Sequence, residues 1–288
     1  MDKPKADQAR KWKFSTSEMM RTITQTAILL WLSSISLTHM YGRLGFGWPG
    51  NSAASLDQYC PFGALETLPT LIGGLAKGQF TFIGGTGFND LFLLGVLLIV
   101  TILFSGAFCG YLCPFGAVFD WLYRLRKVFW KKDIRLNPKF SSVLSYLRYV
   151  TFILIIVITT IQGILMFANI DPYRAFFHFG YELTWISATI MIVALLSSLV
   201  IERFACNYVC PLGGFVGVVA MAGMSRIVKS KEPGHECTSC GNCDAVCPAN
   251  LTPSTNIEAR RCIMCAKCID ACELSNSLVI SFAGMEWR

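Results

Sequence analysis

Four stretches of this chain, approximately Thr22–Met40, Leu91–Phe108, Tyr149–Phe167 and Leu183–Ile201, are apolar and contain no Asp, Glu, Lys or Arg. A helix crossing the hydrocarbon core of a bilayer needs about 20 such residues, with a range of roughly 17–25. Four spans of that kind leave little freedom in the choice of fold. Hydrophobic residues make up 53% of the 288 and charged residues 15%, against about 45–50% and 25% in soluble domains. A mean hydropathy of +0.50 excludes a plain soluble globule, a disordered chain and a coiled coil. Two shorter apolar pieces, Cys60–Leu75 and Pro211–Met224, are interrupted by Gly and Pro and read as re-entrant or interfacial.

Lys and Arg set the expected orientation, because cytoplasmic loops carry the excess of positive charge. The leader holds Lys3, Lys5, Arg10, Lys11, Lys13 and Arg21, and the loop between spans two and three runs from Arg124 to Arg148 with eight Lys or Arg. The other two loops hold only Arg43, Lys77 and Arg174. Both termini are therefore expected in the cytoplasm, with the chain threaded several times through the membrane. The first span lacks a small-residue cleavage site and is read as a retained helix. This bias accounts for the net charge of +7, and nucleic acid is not expected as a partner. The stretch Arg124–Lys132, with Trp121 and Trp130, reads as an interfacial anchor in contact with membrane lipid.

Thirteen cysteines form the second signal, and eight of them lie between Cys237 and Cys272. An odd count argues against complete disulfide pairing, and metal ligation in a reducing compartment is the better reading. From Cys237 the chain reads C-x2-C-x2-C-x3-C-P, using Cys237, Cys240, Cys243 and Cys247, and a second run uses Cys262, Cys265, Cys268 and Cys272. Two-residue spacers let one tight loop wrap three thiolates round a cubane, while the fourth cysteine of each run serves the other cluster. One [4Fe–4S] cluster is thus expected on Cys237, Cys240, Cys243 and Cys272, and another on Cys262, Cys265, Cys268 and Cys247. Structural zinc, the alternative, favours paired C-x2-C modules and fits these runs badly. The segment from about Gly234 to Ser281 resembles bacterial ferredoxins with two [4Fe–4S] clusters. Glu273 stands where their second run has Pro, which leaves ligation intact and places negative charge near a cluster.

Spans two and four end alike. Cys109–Gly116 reads C-G-Y-L-C-P-F-G and Cys206–Gly213 reads C-N-Y-V-C-P-L-G, 97 residues apart. Cysteines at i and i+4 share one face of an α-helix, and Pro is suited to a helix's first turn. Each Cys–Pro junction should end one helix and open the next, with free N–H groups favouring negative charge on the sulfur. Cys109, Cys113, Cys206 and Cys210 are candidates to hold an intramembrane iron or iron–sulfur centre or to work as a redox dithiol. The bland alternative is that free cysteines pack at a helix break.

Together these motifs resemble the NapH/MauN/NosR family of membrane ferredoxin-type proteins, nearest to the quinol dehydrogenase membrane subunits, over most of the chain from about Thr22. The resemblance implies membrane electron transfer between a quinone pool or cytoplasmic donor and an extracytoplasmic acceptor. Its implied partners are other subunits of a redox complex, such as an extracytoplasmic flavin or cytochrome protein and a cytoplasmic electron donor. Beside the two cysteine pairs, Cys60-Pro61-Phe62-Gly63-Ala64 repeats the C-P-F-G-A of Cys113–Ala117 with Leu56 in place of the first cysteine. Cys60 is a candidate further metal ligand, a vestigial element or part of a re-entrant loop, and the charge bias puts it outside.

The expected architecture is an all-α membrane protein of four transmembrane helices in two repeated two-helix units (residues 1–225), followed by a small α+β two-cluster ferredoxin-like domain (226–288). A non-catalytic anchor or assembly subunit with structural clusters is the competing function, and redox-driven ion transport a third. No span carries the ionisable residues that an ion path needs. His39 and His178 read as interfacial residues rather than haem ligands or acceptors of a quinol proton, His235 as a neighbour of the first cysteine run able to tune its cluster, and Asp171, Arg174 and Glu182 as solvated loop charges rather than a quinone headgroup site. Without a Walker or dinucleotide glycine fingerprint, any nucleotide-linked step falls to a partner.

Overall fold

Proline and burial fix the element boundaries. The computed structural model describes residues 16–43, 61–76, 86–130, 134–162, 176, 184–230, 237–272 and 277–287, and they are mostly helical. Helices α1 (Thr16–Arg43), α2 (Pro61–Ala76) and α3 (Thr86–Phe104) come first. A π-helical turn, π1 (Phe108–Leu112), leads into α4 (Pro114–Phe129). After α5 (Pro138–Leu144) and α6 (Leu147–Gln162) come α7 (Trp185–Val200), a second turn π2 (Ala205–Val209) and α8 (Pro211–Met221). The tail holds strand β1 (Ser225–Lys229), short helices α9 (Asn242–Val246) and α10 (Lys267–Asp270), and strands β2 (Leu278–Phe282) and β3 (Met285–Trp287).

Local chemistry explains the helix starts. Pro138 opens α5, where the Asn137 side chain accepts from Lys139 N–H at 3.1 Å. Thr184 caps α7 by accepting from Ser187 N–H at 3.2 Å. Arg126 and Lys127 close the last turn of α4, where the helix dipole favours cations.

The helices pack in an exchanged pattern: α3 lies on α8, and α7 lies on α4. Outside them, α1 covers α4 and π1 while α6 covers α8 and π2. Each long helix thus supports the Cys–Pro helix that the other one leads into. Leu32, Leu97, Leu212 and Val216 form the core of this seam, with Phe108, Cys109, Cys210 and Phe215 against it. In the tail, β1, β2 and β3 form one antiparallel sheet in that order, from Ser225↔Phe282 to Lys229↔Leu278. Ala283 and Gly284 turn β2 into β3 with φ of 51° and 88°, the left-handed pair that a tight hairpin requires.

Among the described residues one helical stretch, Pro138–Gln162, is long and apolar enough to cross a membrane, with 25 residues and a mean hydropathy of 2.0 over its most apolar 18. Leu91–Phe104, Trp185–Val200 and Pro211–Met221 are apolar but shorter. Large apolar side chains stand outward along these helices, among them Phe92, Ile99, Ile153 and Ile161, and Trp185 is 91% exposed. The two pieces read as re-entrant or interfacial are regular helices, α2 and α8. Both are drawn inside: α2 packs on α3 and α6, with Ala64 and Thr67 fully buried. Glu66, also buried, accepts a hydrogen bond from Thr159 Oγ1 at 2.8 Å, so an acidic group sits among helices whose outward faces are apolar.

Candidate metal centre

Both cysteine runs of the tail fold by the same backbone device. Ser239 and Gly241 flank Cys240 in left-handed conformation (φ 55° and 78°), and Met264 and Ala266 flank Cys265 in the same way (φ 52° and 58°). Alternating handedness turns successive N–H groups inward and builds a concavity that favours anions. For Met and Ala this conformation costs about 1–2 kcal/mol each, so the loop's shape is imposed by what surrounds it.

Cys237, Cys240, Cys243 and Cys272 line one cavity together with Ser254, Ser277 and Leu278. Cys247, Cys262, Cys265 and Cys268 line a second, closed by Ile227, Leu251 and Ile257. Each cavity draws three cysteines from one run and the fourth from the other. Among the described residues, no three His, Cys, Asp or Glu side chains converge closely enough for a single metal ion. A tetrahedral zinc with Zn–S bonds of ~2.3 Å brings its sulfurs within about 3.8 Å of each other. Cavities walled by four more widely spaced cysteines fit a larger, multinuclear group. Among the described residues Ser277 Oγ is buried without a hydrogen-bond partner and lines the first cavity, where it could donate a hydrogen bond to a sulfur of a bound cluster. Burial pushes the Cys247 thiol up to about 11 and the Cys262 thiol up to about 12. Burial, reinforced by the Asp244 carboxylate, takes Cys243 to about 12. Such thiols ionise at neutral pH only when a metal takes the place of the proton.

The Cys–Pro junctions form a third group. Cys113 N–H closes π1 on the Phe108 carbonyl at 3.0 Å, and Cys210 N–H closes π2 on that of Ala205 at 2.8 Å. The second cysteine of each pair is extended (φ −72°, ψ 117° and φ −61°, ψ 116°) and caps the helix that Pro114 or Pro211 opens. A residue before Pro is steered away from the α region, so the two cysteines of a pair do not share an α-helical face. Burial raises the Cys109 thiol, and the negative charge of Cys113 and Cys210 raises it further. Burial likewise raises Cys206, with Cys210, Cys113 and Cys109 adding to it. Cys109 and Cys206 thus each lie within electrostatic reach of the other three cysteines, and the Arg203 guanidinium acts in the opposite direction.

The tail docks on these junctions through its second cavity. A Cβ on Gly106 would overlap the Cys262 carbonyl, and one on Gly110 that of Ile263. Asn207 Nδ2, in π2, donates to the Pro248 carbonyl at 2.9 Å, one residue past Cys247. The second cavity is therefore the one nearer the four-cysteine group. Cys60, His178, His235, Glu273, Asp171, Arg174 and Glu182 lie outside the described residues, as does the side chain of His39.

The charged residues at this seam escaped the sequence reading. Against the cost of burial, Arg203 and Arg21 hold the Asp120 carboxyl well below the usual carboxylate range, through ion pairs of 2.6 Å and 2.7 Å. Arg148 is equally buried and donates to the Arg260 carbonyl at 2.9 Å. In the sequence Arg21 and Arg148 stand out only as part of the inside charge bias. The available signal was position: Arg203 stands three residues before Cys206, and Asp120 seven after Cys113.

A family profile described as "4Fe-4S binding domain" matches residues 86–133 and 183–230. The two matches lie 97 residues apart and hold Cys109, Cys113, Cys206 and Cys210, and they end before Cys237. The methylamine utilization ferredoxin-type protein MauN of Methylorubrum extorquens is 30% identical over 232 residues, which are 75% of this chain and 72% of the relative. The chain belongs to the NapH/MauN family of ferredoxin-type proteins. The ferredoxin-type protein NapH of Haemophilus influenzae is 30% identical over 201 residues, 64% of this chain and 66% of its own. An uncharacterised protein of Methanocaldococcus jannaschii is 31% identical over 192 residues, 66% and 78% of the two chains. No solved structure matches. As a NapH/MauN-type protein the chain carries 4Fe–4S chemistry, and its role is iron–sulfur electron transfer.

Proposed function

We propose that this protein is a membrane electron-transfer subunit of a larger redox complex, moving electrons between a quinone pool or cytoplasmic donor and an extracytoplasmic partner. One observation carries the reading: three cysteine groups follow one another from the tail into the helices, with the second tail cavity against the four-cysteine junction. Cys237, Cys240, Cys243 and Cys272 would hold one cluster, and Cys247, Cys262, Cys265 and Cys268 the other. Cys109, Cys113, Cys206 and Cys210 would hold a third centre, which the position of both family matches supports. When bound, such a cluster takes up and gives up single electrons. The chain's own contribution is to hold the thiolates, exclude water with Ile227, Leu251 and Ile257, and dock one group against the next.

The outward apolar side chains and the long apolar stretch of α5 and α6, Pro138–Gln162, favour a lipid setting. The charge bias favours four spans with both termini and the domain from residue 226 in the cytoplasm. An external label reaching the tail in intact cells would overturn that orientation. Anaerobically purified protein is expected to hold about eight irons in the tail and further iron at the junction. Replacing Cys109 and Cys206 with Ser should stop electron flow from a quinol analogue across proteoliposomes while the tail's electron paramagnetic resonance (EPR) signals persist. Unchanged flow would show that these cysteines merely pack, and tail clusters inert to quinol and quinone would favour an anchoring subunit.

A further inference from the structure

The offset of 97 residues that aligns the two cysteine pairs sets Gly106 against Arg203 and Asp120 against Gly217. At both places one motif has a charge where the other has glycine. The glycines make room for the tail: Gly106 meets the Cys262 carbonyl, and a Cβ on Gly217 would stand 2.7 Å from that of Arg260. The two charges instead meet each other across the seam. Arg203 Nε donates to Asp120 Oδ1 at 2.7 Å and Nη2 donates to Oδ2 at 2.6 Å. Its remaining arm, Nη1, donates to the backbone carbonyl of Cys109 at 2.9 Å. Both side chains are almost wholly buried, and Arg203 holds a left-handed φ of 55°. Arg21 brings a second guanidinium to Asp120. One residue away, Glu202 pairs with Lys267 at 2.9 Å, two residues past Cys265.

Two buried cations and one carboxylate thus leave one net positive charge beside the four-cysteine junction, while on the tail side Lys267, next to Cys268, is shared by Glu202 and Glu18. A cysteine-ligated cluster gains negative charge on reduction, so a fixed cation stabilises the reduced state and raises its potential. A bidentate clamp holds that charge in one place. We propose that Arg203, clamped by Asp120, is the positioning residue that sets the reduction potential of the four-cysteine centre and couples it to the adjacent tail cluster. This rests on the reading of Cys109, Cys113, Cys206 and Cys210 as ligands of an iron–sulfur centre.

The test is a redox titration of the purified full-length protein followed by EPR, with iron counted in each sample. Arg203→Gln should lower the potential of the four-cysteine centre by at least a tenfold shift in its reduction equilibrium, 59 mV for one electron. Asp120→Asn, which removes the opposing charge, should raise it. Arg203→Lys, which keeps the charge and loses the fork, should stay within threefold of the parent. In all three the cluster of Cys237, Cys240, Cys243 and Cys272 should titrate as in the parent. A purely structural ion pair predicts otherwise: signals lost in both variants, or shifts in the same direction, and either overturns the inference. If Asp120→Asn fails to fold, the contrast of Gln and Lys at position 203 decides alone, and equal potentials refute it. A parent protein with tail signals and no third centre would instead defeat the underlying ligand assignment and this inference with it.

Discussion

At the scale of single residues, the buried thiols make the metal-free protein sensitive to alkali. Cys247 and Cys262 hold their protons to about 11 and about 12, because burial disfavours the thiolate, whereas an ordinary thiol titrates at 9.0. Above that ordinary value the unfolded chain has lost protons that the folded chain keeps, so stability falls as pH rises. Thermal melting of chelator-stripped protein should move to lower temperature between about pH 9 and pH 11, a window set by these shifts. Iron-loaded protein, whose ligands are already deprotonated, should lack this slope. A pH-independent melt of the stripped protein would contradict the burial of these two cysteines. Residue identity was the most legible layer of the sequence, because cysteine spacing is local and C-x2-C-x2-C carries its geometry with it. Arg203 and Asp120, 83 residues apart, were not readable, since nothing in either neighbourhood specifies the other. Glu66 was passed over for a related reason: it belonged to a piece whose Gly and Pro argued against a regular buried helix.

At the scale of elements, the Cys–Pro junctions were legible as helix breaks but not as π turns. Pro114 and Pro211 announce a new helix at its first turn. The extra residue that makes each preceding turn wide, closing Cys113 N–H on Phe108 and Cys210 N–H on Ala205, is announced by no residue type. The tail packs closely on the first of these turns, since a side chain at Gly106 or Gly110 would strike the backbone of Cys262 or Ile263. Gly110→Ala should therefore loosen the docked tail at a cost of about 1–3 kcal/mol, the usual penalty of overpacking. Limited proteolysis of the segment after β1, compared between parent and variant, checks this. Equal cleavage rates would mean that the close approach is easily relieved. Helix existence was readable from apolar runs, whereas the placing of α2 and α8 inside the bundle was not. Gly and Pro within a short apolar run mark an interruption equally well in a re-entrant loop and in a buried helix.

At the scale of the whole molecule, the exchanged packing of α3 on α8 and α7 on α4 has a bearing on how the protein can be assembled. Neither half of the helical part encloses its helices alone: among the described residues α3 packs on α2 within its own half but also on α8, which follows about a hundred residues later, and α4 takes α7 as well as α1. The polypeptide behaves as two interlocked partners that happen to share a peptide link between α4 and α5. Cutting that link should then be tolerated. Coexpressed fragments 1–133 and 134–288 are expected to copurify and to regain the junction's EPR signal, while either fragment alone is degraded. A fragment that accumulates by itself with its own iron would show that each half is self-sufficient. If the fragments reunite, the same route offers a means of labelling or replacing one cysteine pair while leaving the other untouched, because each pair would travel on its own chain.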